Sequence, residues 1–282
     1  MRTELVLLDQ LTSNRIENEE IKKLIDLISR IDWDVFFEYI IASKTICIVY
    51  NCLVVNHLEQ YIPAKIHKMM SQIFLGNQLH NEIISREIII LNQLFVESKI
   101  KFFQYKNLVN IYTGLEENQM PNDIDYIVHL KDFKKLRKVL KKNNYIMKST
   151  NKDLHSFYSS AFFVKLNTPA YYYPLKVDVI FNLIKPANSD KMLFDLWTTN
   201  DLDEKNALLM IINFIETFNN NPNCIFSISD YLKMKRMRIQ YFQLSQRTLA
   251  YINTISKKYG IEEYINKATY VFDNFLNVFT GS

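Results

Sequence analysis

Two aspartates one residue apart, in DIDYIVHL (Asp123–Leu130), are the side chains best placed to do chemistry in this sequence. On a strand, residues two apart leave the same face roughly 6.5–7 Å from each other, so the carboxylates of Asp123 and Asp125 converge on one point. Aspartate is depleted inside strands, and ionised carboxylates beside Ile124, Ile127 and Val128 are costly unless a cation or a donor meets them. A loop cap at Asp123 and a turn hydrogen bond at Asp125 would also account for the pair.

A third carboxylate raises the chemical reading. In PLKVDVIFNL (Pro174–Leu183), Asp178 lies in the middle of a buried strand pattern. Alternation puts Lys176, Asp178 and Ile180 on one face and Val177, Val179 and Phe181 on the other. The plain alternative is a buried aspartate paired with a Lys or Arg. The chemical one is that two strands of one sheet present Asp123, Asp125 and Asp178 to hard cations. Mg²⁺ suits such a set, because it takes oxygen ligands and completes its octahedron with water and substrate phosphate.

The elements that must position these residues follow from periodicity. The chain has 282 residues, of which 48% are hydrophobic, enough for a sizeable core. Only four glycines occur, so long uninterrupted stretches favour helices. Neither GxxxxGK[ST] nor GxGxxG can be written anywhere. Glu17–Ile31 carries a helix-spaced apolar stripe, and Thr45–Val55 reads as a buried helix too short to cross a bilayer. Pro63 opens a long helix whose inward positions are expected to include Ile66, Ile73, Leu79, Ile83, Ile90 and Leu94.

The period changes after Ile100. KFFQY (Lys101–Tyr105) predicts a strand, Lys106–Tyr112 a short helix ended by Gly114, and Asp123–Leu130 a buried strand. Asp132 is expected to cap a helix with Phe133, Leu136, Val139 and Leu140 inward and lysines outward, stopping near Asn143–Asn144. Strands follow around Ser156–Leu166 and Tyr172–Leu183. Helical segments then run near Lys191–Trp197, Asp203–Phe218, Ser229–Lys258 and Ile261–Phe279. The plan is α+β: a small mixed sheet at 100–188, with helical regions at 1–99 and 189–282.

In this order, KIKFFQYKNLVNIY, NDIDYIV, a helix ending in NNY, and LKVDVIFNL resemble the nucleotidyltransferase superfamily with the polymerase-β-like catalytic fold. Most similar is a bacterial group of uncharacterised nucleotidyltransferases with Lys-Gly, then Asp-Ile-Asp, then a strand bearing a third Asp. The resemblance spans about residues 20–275. It implies Mg-dependent transfer of a nucleoside monophosphate from an NTP to an acceptor, with release of pyrophosphate. Asp123, Asp125 and Asp178 would be the catalytic residues and the ligands of two Mg²⁺ ions, and Asp178 would also accept the acceptor's proton. Lys106, Asn107 and Lys176 are the expected nucleotide contacts. Acceptors open to it are a small molecule, a peptide or protein, or tRNA.

Departures from the pattern set a second expectation. Lys106-Asn107 stands where that group has Lys-Gly, and Gln119-Met120-Pro121-Asn122 where it tends to place an Arg and a Gly. A degenerate member that binds nucleotide or a partner without turnover would tolerate both changes.

Other features are read more simply. Lys233, Lys235, Arg236 and Arg238 are expected on a solvated helix face rather than on a triphosphate tail or an RNA backbone. Tyr171–Tyr173 are expected to pack on a strand face rather than stack a base. Asp230, before the basic helix, is expected to be its N-cap. The five histidines show no ligand spacing, and three cysteines without CxxC give neither a disulfide framework nor a zinc site. A net charge of +4 permits an anionic ligand without demanding one. The start, MRTELVLLDQ, lacks a secretory pattern, and a soluble, cytoplasmic protein is the expectation.

Overall fold

The computed structural model describes residues 3–12, 16, 18–105, 123–151, 158–166, 174–183, 189–221, 223–224 and 226–280. Helices α1 (Thr3–Leu11), α2 (Asn18–Arg30), α3 (Trp33–Ala42), α4 (Ile46–Val55) and α5 (Ala64–Glu97) precede the sheet. Strands β1 (Phe102–Tyr105) and β2 (Ile124–Val128), helix α6 (Phe133–Lys142), and strands β3 (Tyr145–Asn151), β4 (Tyr158–Lys165) and β5 (Lys176–Leu183) follow. The chain continues with α7 (Ser189–Thr198), α8 (Leu202–Asn220), α9 (Tyr231–Gln243), α10 (Gln246–Tyr259), α11 (Glu262–Asp273) and α12 (Phe275–Thr280). This is the expected α+β plan. No described helix is long and apolar enough to cross a membrane.

The helix ends show why the segments stop where they do. The Asp32 carboxylate accepts from the backbone N–H groups of Asp34 and Val35 at the start of α3, and Asp201 does the same for Asp203 and Glu204 at α8. Ser245 caps α10 by accepting from Thr248 N–H, and Gly260, at φ 64, closes that helix in the left-handed region. The expected single segment Ser229–Lys258 is therefore two helices. They divide at Leu244–Ser245, where an extended backbone and a serine cap do what neither Gly nor Pro announces.

The sheet order is β1-β2-β5-β4-β3, with β2 and β5 parallel and every other pair antiparallel. Strand β3 was not expected from the sequence. It lies at the sheet edge, and only Tyr145 and Met147 of YIMKSTN pack inward against the core. Its remaining polar residues match the one-sided pattern of an edge.

Two apolar clusters cover the two faces of the sheet. Ile124, Tyr126 and Val128 of β2, with Val177, Val179 and Phe181 of β5, pack against Leu136 and Leu140 of α6 and Ile84, Leu91 and Phe95 of α5. Ile127 and Ile180 face the other way, into a larger core that joins helices from before the sheet with α7–α11. The 34-residue α5, about 50 Å long, serves both: Ile66 and Met70 enter the larger core, and its second half lies under the sheet.

Four expectations within helices are corrected. The Asp230 carboxylate does not cap α9; it turns back to accept from Ser227 N–H at 3.1 Å and Ser227 Oγ at 2.8 Å. Leu79 and Ile90 of α5 are exposed, because only one side of that helix is covered. The Asp132 carboxylate does not cap α6; it accepts from Lys101 N–H at 2.9 Å and ties the start of the helix to the start of β1. The basic run of α9 is not a solvated face. Lys235 is buried, donating to the Asp9 carboxylate at 2.7 Å and to Thr12 Oγ1 at 2.8 Å, and Arg238 donates to the Phe272 carbonyl at 2.8 Å. Helix α9 is enclosed by α1 on one side and the C-terminal helices on another, so its cations serve as internal ties.

Candidate active site

The register of the parallel pair fixes the central geometry. Asp125 of β2 stands directly beside Asp178 of β5, with Ile124 beside Val177 and Ile127 beside Ile180. Neighbouring strands lie about 4.8 Å apart, so two carboxylates leave one face of the sheet side by side. The faces are those alternation predicts: Val177, Val179 and Phe181 enter the core under α5 and α6, and Ile180 enters the other. Asp123 and Lys176, two residues before Asp125 and Asp178, begin the same face at its open end and are both partly exposed. Asp125 itself is only 7% exposed.

The surroundings become drier along the strands. Beyond the aspartates, the next row on this face is Phe103, Ile127, Ile180 and Ser160. Helix α7 covers it: Trp197 stacks on Phe103 with ring centroids 4.5 Å apart, and His129 meets the Trp197 edge at 5.8 Å. Among the described residues, packed rings thus close the far end of the carboxylate face. The rings and Ser160 were not singled out in the sequence, because their role depends on the order of the strands. The β4 neighbour of Asp178 is Phe162, an apolar wall on that side of the pair.

The opposite face holds the strands in place. Tyr126 is fully buried and donates to Asn92 Oδ1 of α5 at 2.8 Å. Glu87, also on α5, accepts from Tyr145 OH at 2.8 Å and from Lys165 Nζ at 2.6 Å. Burial, with the Glu87 carboxylate beside it, pushes the Tyr145 phenol far above its ordinary range, and the same two causes raise Tyr126. Both phenols therefore stay protonated donors, and α5 pins β2, β3 and β4 from behind.

The donor chemistry fits a hard divalent cation. Among the described residues, Asp123 included, no three acidic, histidine or cysteine side chains are gathered as a ready-made metal cage: the register brings Asp125 and Asp178 together, and Asp123 is not gathered with them. Magnesium does not need one, since it is commonly held by one or two carboxylates with substrate phosphate and water supplying the other positions. Thiol chemistry is disfavoured. Burial pushes the Cys47 thiol up to about 12 and Cys52 to about 11, leaving both protonated.

The expected nucleotide contacts Lys106 and Asn107, the short helix they begin, and Gln119 and Asn122 lie outside the described residues, as do Tyr171–Tyr173. Lys176 is described, and it shares the carboxylate face.

Comparison with known proteins gives one family. A family model described as uncharacterised nucleotidyltransferase matches residues 29–210, more than half of the chain and including all five strands. No curated protein and no solved structure matches.

Proposed function

We propose that this chain, which belongs to the uncharacterised nucleotidyltransferase family, transfers a nucleoside monophosphate from an NTP to an acceptor hydroxyl or phosphate, with Mg²⁺ held by the register pair Asp125 and Asp178 and, on the family pattern, by Asp123. The observation that carries this reading is the register match of Asp125 and Asp178 on one half-dry face. Two carboxylates about 5 Å apart repel by roughly 3 kcal/mol at an effective dielectric of 20. A cation between them would reverse that cost.

Bound divalent cations would supply charge neutralisation for the triphosphate and acidify the attacking oxygen. The chain's own groups do the rest. Asp125 and Asp178 fix where the reacting phosphate sits relative to the sheet. Asp178, the more open of the two, takes the acceptor's proton as the new O–Pα bond forms and the bond to pyrophosphate breaks. Lys176 sits two residues from Asp178 on the same face, within reach of an anionic donor. Phe162 and the Phe103–Trp197 stack exclude water on two sides, which disfavours simple hydrolysis. Lys106 and Asn107 are proposed as further phosphate contacts on the family pattern.

The test uses Mg²⁺, NTP labelled at the α-phosphate, and a panel of small-molecule, peptide and RNA acceptors. Label should appear in one acceptor class with release of pyrophosphate, and Asp125→Asn should abolish it. Equal labelling by Asp125→Asn would overturn the assignment. Mg-dependent NTP binding with no pyrophosphate release across the panel would instead support a nucleotide-binding protein without turnover, the reading prompted by Asn107, Gln119 and Asn122.

A further inference from the structure

Helix α6 is the most one-sidedly charged element of the chain. Residues 131–148 hold eight Lys or Arg against the single Asp132, a net +7; the chain totals +4, so everything outside this segment is net −3. Lys131, Lys134, Lys135, Arg137, Lys138, Lys141, Lys142 and Lys148 are all exposed. On a helix, positions 134, 135, 137, 138, 141 and 142 fall within one arc of roughly 160°. Among the described residues none of these side chains has a carboxylate partner.

The density of cations sets α6 apart. Elsewhere among the described residues several exposed cations are paired, Arg30 with Asp26 at 2.6 Å, Arg86 with Glu82 at 3.4 Å, Arg247 with Asp201 and Lys258 with Asp195, and others, such as Lys22, Lys23, Lys65 and Lys68, stand without an ion pair but do not build a row of six on one helix. Within α6 itself, Lys134–Lys138, Arg137–Lys141 and Lys138–Lys142 are like charges one turn apart, each destabilising by a few tenths of a kcal/mol. Lys134 and Lys135 also stand in the first turn, where the backbone dipole disfavours a cation; that turn holds no acid, and the preceding Asp132 carboxylate is engaged with Lys101 N–H. The helix keeps this arrangement against its own local energetics.

We infer that the exposed face of α6 is a docking surface for an RNA backbone, and that the acceptor of the transfer reaction is an RNA. A lipid surface fits less well. The apolar side of α6 is committed inward, with Leu136 and Leu140 fully buried and Phe133 stacked on Phe181 at 4.1 Å, so nothing is left to insert. A protein partner fits less well too, because the charged arc lacks the aromatic or aliphatic anchors that carry protein interfaces. Rows of unpaired cations without anchors are what sequence-independent phosphate binding uses.

Position strengthens the case for a long ligand. Helix α6 packs on the face of β2 that carries Ile124, Tyr126 and Val128, and the carboxylates leave the other face. Sheet and helix thickness together put the two surfaces roughly 15–20 Å apart. A small acceptor cannot touch both, whereas a structured RNA with a single-stranded end gripped at α6 can bring a terminal hydroxyl around the sheet edge. The RNA-acceptor part rests on the transfer reading above; the docking part does not.

The experiment measures binding of a fluorescein-labelled RNA hairpin with a single-stranded 3′ extension to the full chain, by anisotropy, between 50 and 200 mM salt. About five phosphate contacts give a slope of log K against log salt near −3.5, or about a hundredfold loss over this range. Lys134→Glu/Lys138→Glu/Lys141→Glu should bind at least tenfold more weakly and flatten the slope by roughly 2. The neutral set Lys134→Gln/Lys138→Gln/Lys141→Gln guards against misfolding and should show the same trend, smaller. Lys22→Glu/Lys23→Glu, a charge reversal on the exposed side of α2, should bind RNA nearly like wild type.

Salt-independent or undetectable RNA binding, or full binding by the charge-reversed variant, would overturn the inference. So would equal or tighter binding to phosphatidylserine vesicles or to polyglutamate, which would point to a membrane or an acidic protein. Label transfer to a small acceptor without RNA binding would defeat this inference and leave the proposed function standing. RNA binding at α6 without nucleotidyl transfer to any acceptor would defeat the transfer reading, and the RNA-acceptor part with it, and leave the docking surface standing.

Discussion

Glu87 is the most exacting place to test how the sheet is held. Its carboxylate is 5% exposed, accepts from Tyr145 OH at 2.8 Å, and receives Lys165 Nζ on both oxygens at 2.6 Å. Glu87→Ala strands the Tyr145 hydroxyl, a cost of about 1–3 kcal/mol for a buried unsatisfied group. It also leaves Lys165 without its anion, for which a buried pair would cost about 3–5 kcal/mol. The Lys165 side chain is 25% exposed and can turn toward water, so most of the second cost is recovered. The expected total is about 3 kcal/mol, or about 5 °C in Tm for a chain of 282 residues. Glu87→Gln keeps an acceptor for Tyr145 and should lose about half as much. Combining Glu87→Ala with Lys165→Met in a double-mutant cycle should give a coupling of about 2 kcal/mol in urea denaturation followed by circular dichroism. A loss under about 1 kcal/mol for Glu87→Ala, with coupling near zero, would refute the idea that this buried triad anchors α5 to β3 and β4.

Two further outcomes follow from the same kind of reasoning. Asp9→Ala should destabilise more than Lys235→Met, because it leaves a buried ammonium without its anion, among neutral groups such as Thr12, Tyr231 and a backbone carbonyl, whereas Asp9 keeps the Tyr231 hydroxyl and its side chain is 29% exposed and can hydrate. Burial already lowers the Lys235 pKa below 10.5, so the unfolded chain binds the extra proton and stability rises with pH through that range; Asp9→Ala should recover part of its loss between pH 7 and 10, and no recovery in thermal melts would contradict this. At the acid end, Tyr251 on Asp201 and Thr248 with Ser245 on Asp203 hold both carboxyls below 3.8, while burial raises Asp195 but hydrogen bonds from Lys258 and Tyr259 outweigh it. Stability from these groups is present above pH 3.8 and lost as pH falls through the folded values, so Asp203→Asn should flatten the decline between pH 5 and 2.

The carboxylate pair was legible because it broke a rule. Asp125 and Asp178 are acids in otherwise apolar strand patterns, and alternation alone placed each on the correct face. Their register as neighbours was not legible, since strand order depends on the crossover through α6, β3 and β4. Edge strand β3 escaped notice because a strand covered on one side needs only two inward residues. Lys235 was misassigned for the opposite reason. A cation in a polar run looks solvated until its partner is known, and Asp9 lies 226 residues away.

The central claim, that Asp125 and Asp178 share a divalent cation, is tested most directly by Mn²⁺ paramagnetic resonance with a non-hydrolysable NTP. Wild-type protein should quench the free-ion signal, and Asp125→Asn and Asp178→Asn should each weaken that binding at least tenfold, with the exposed Asp26→Asn unchanged. Nucleotide-dependent Mn²⁺ binding of equal strength in all four proteins would contradict the account.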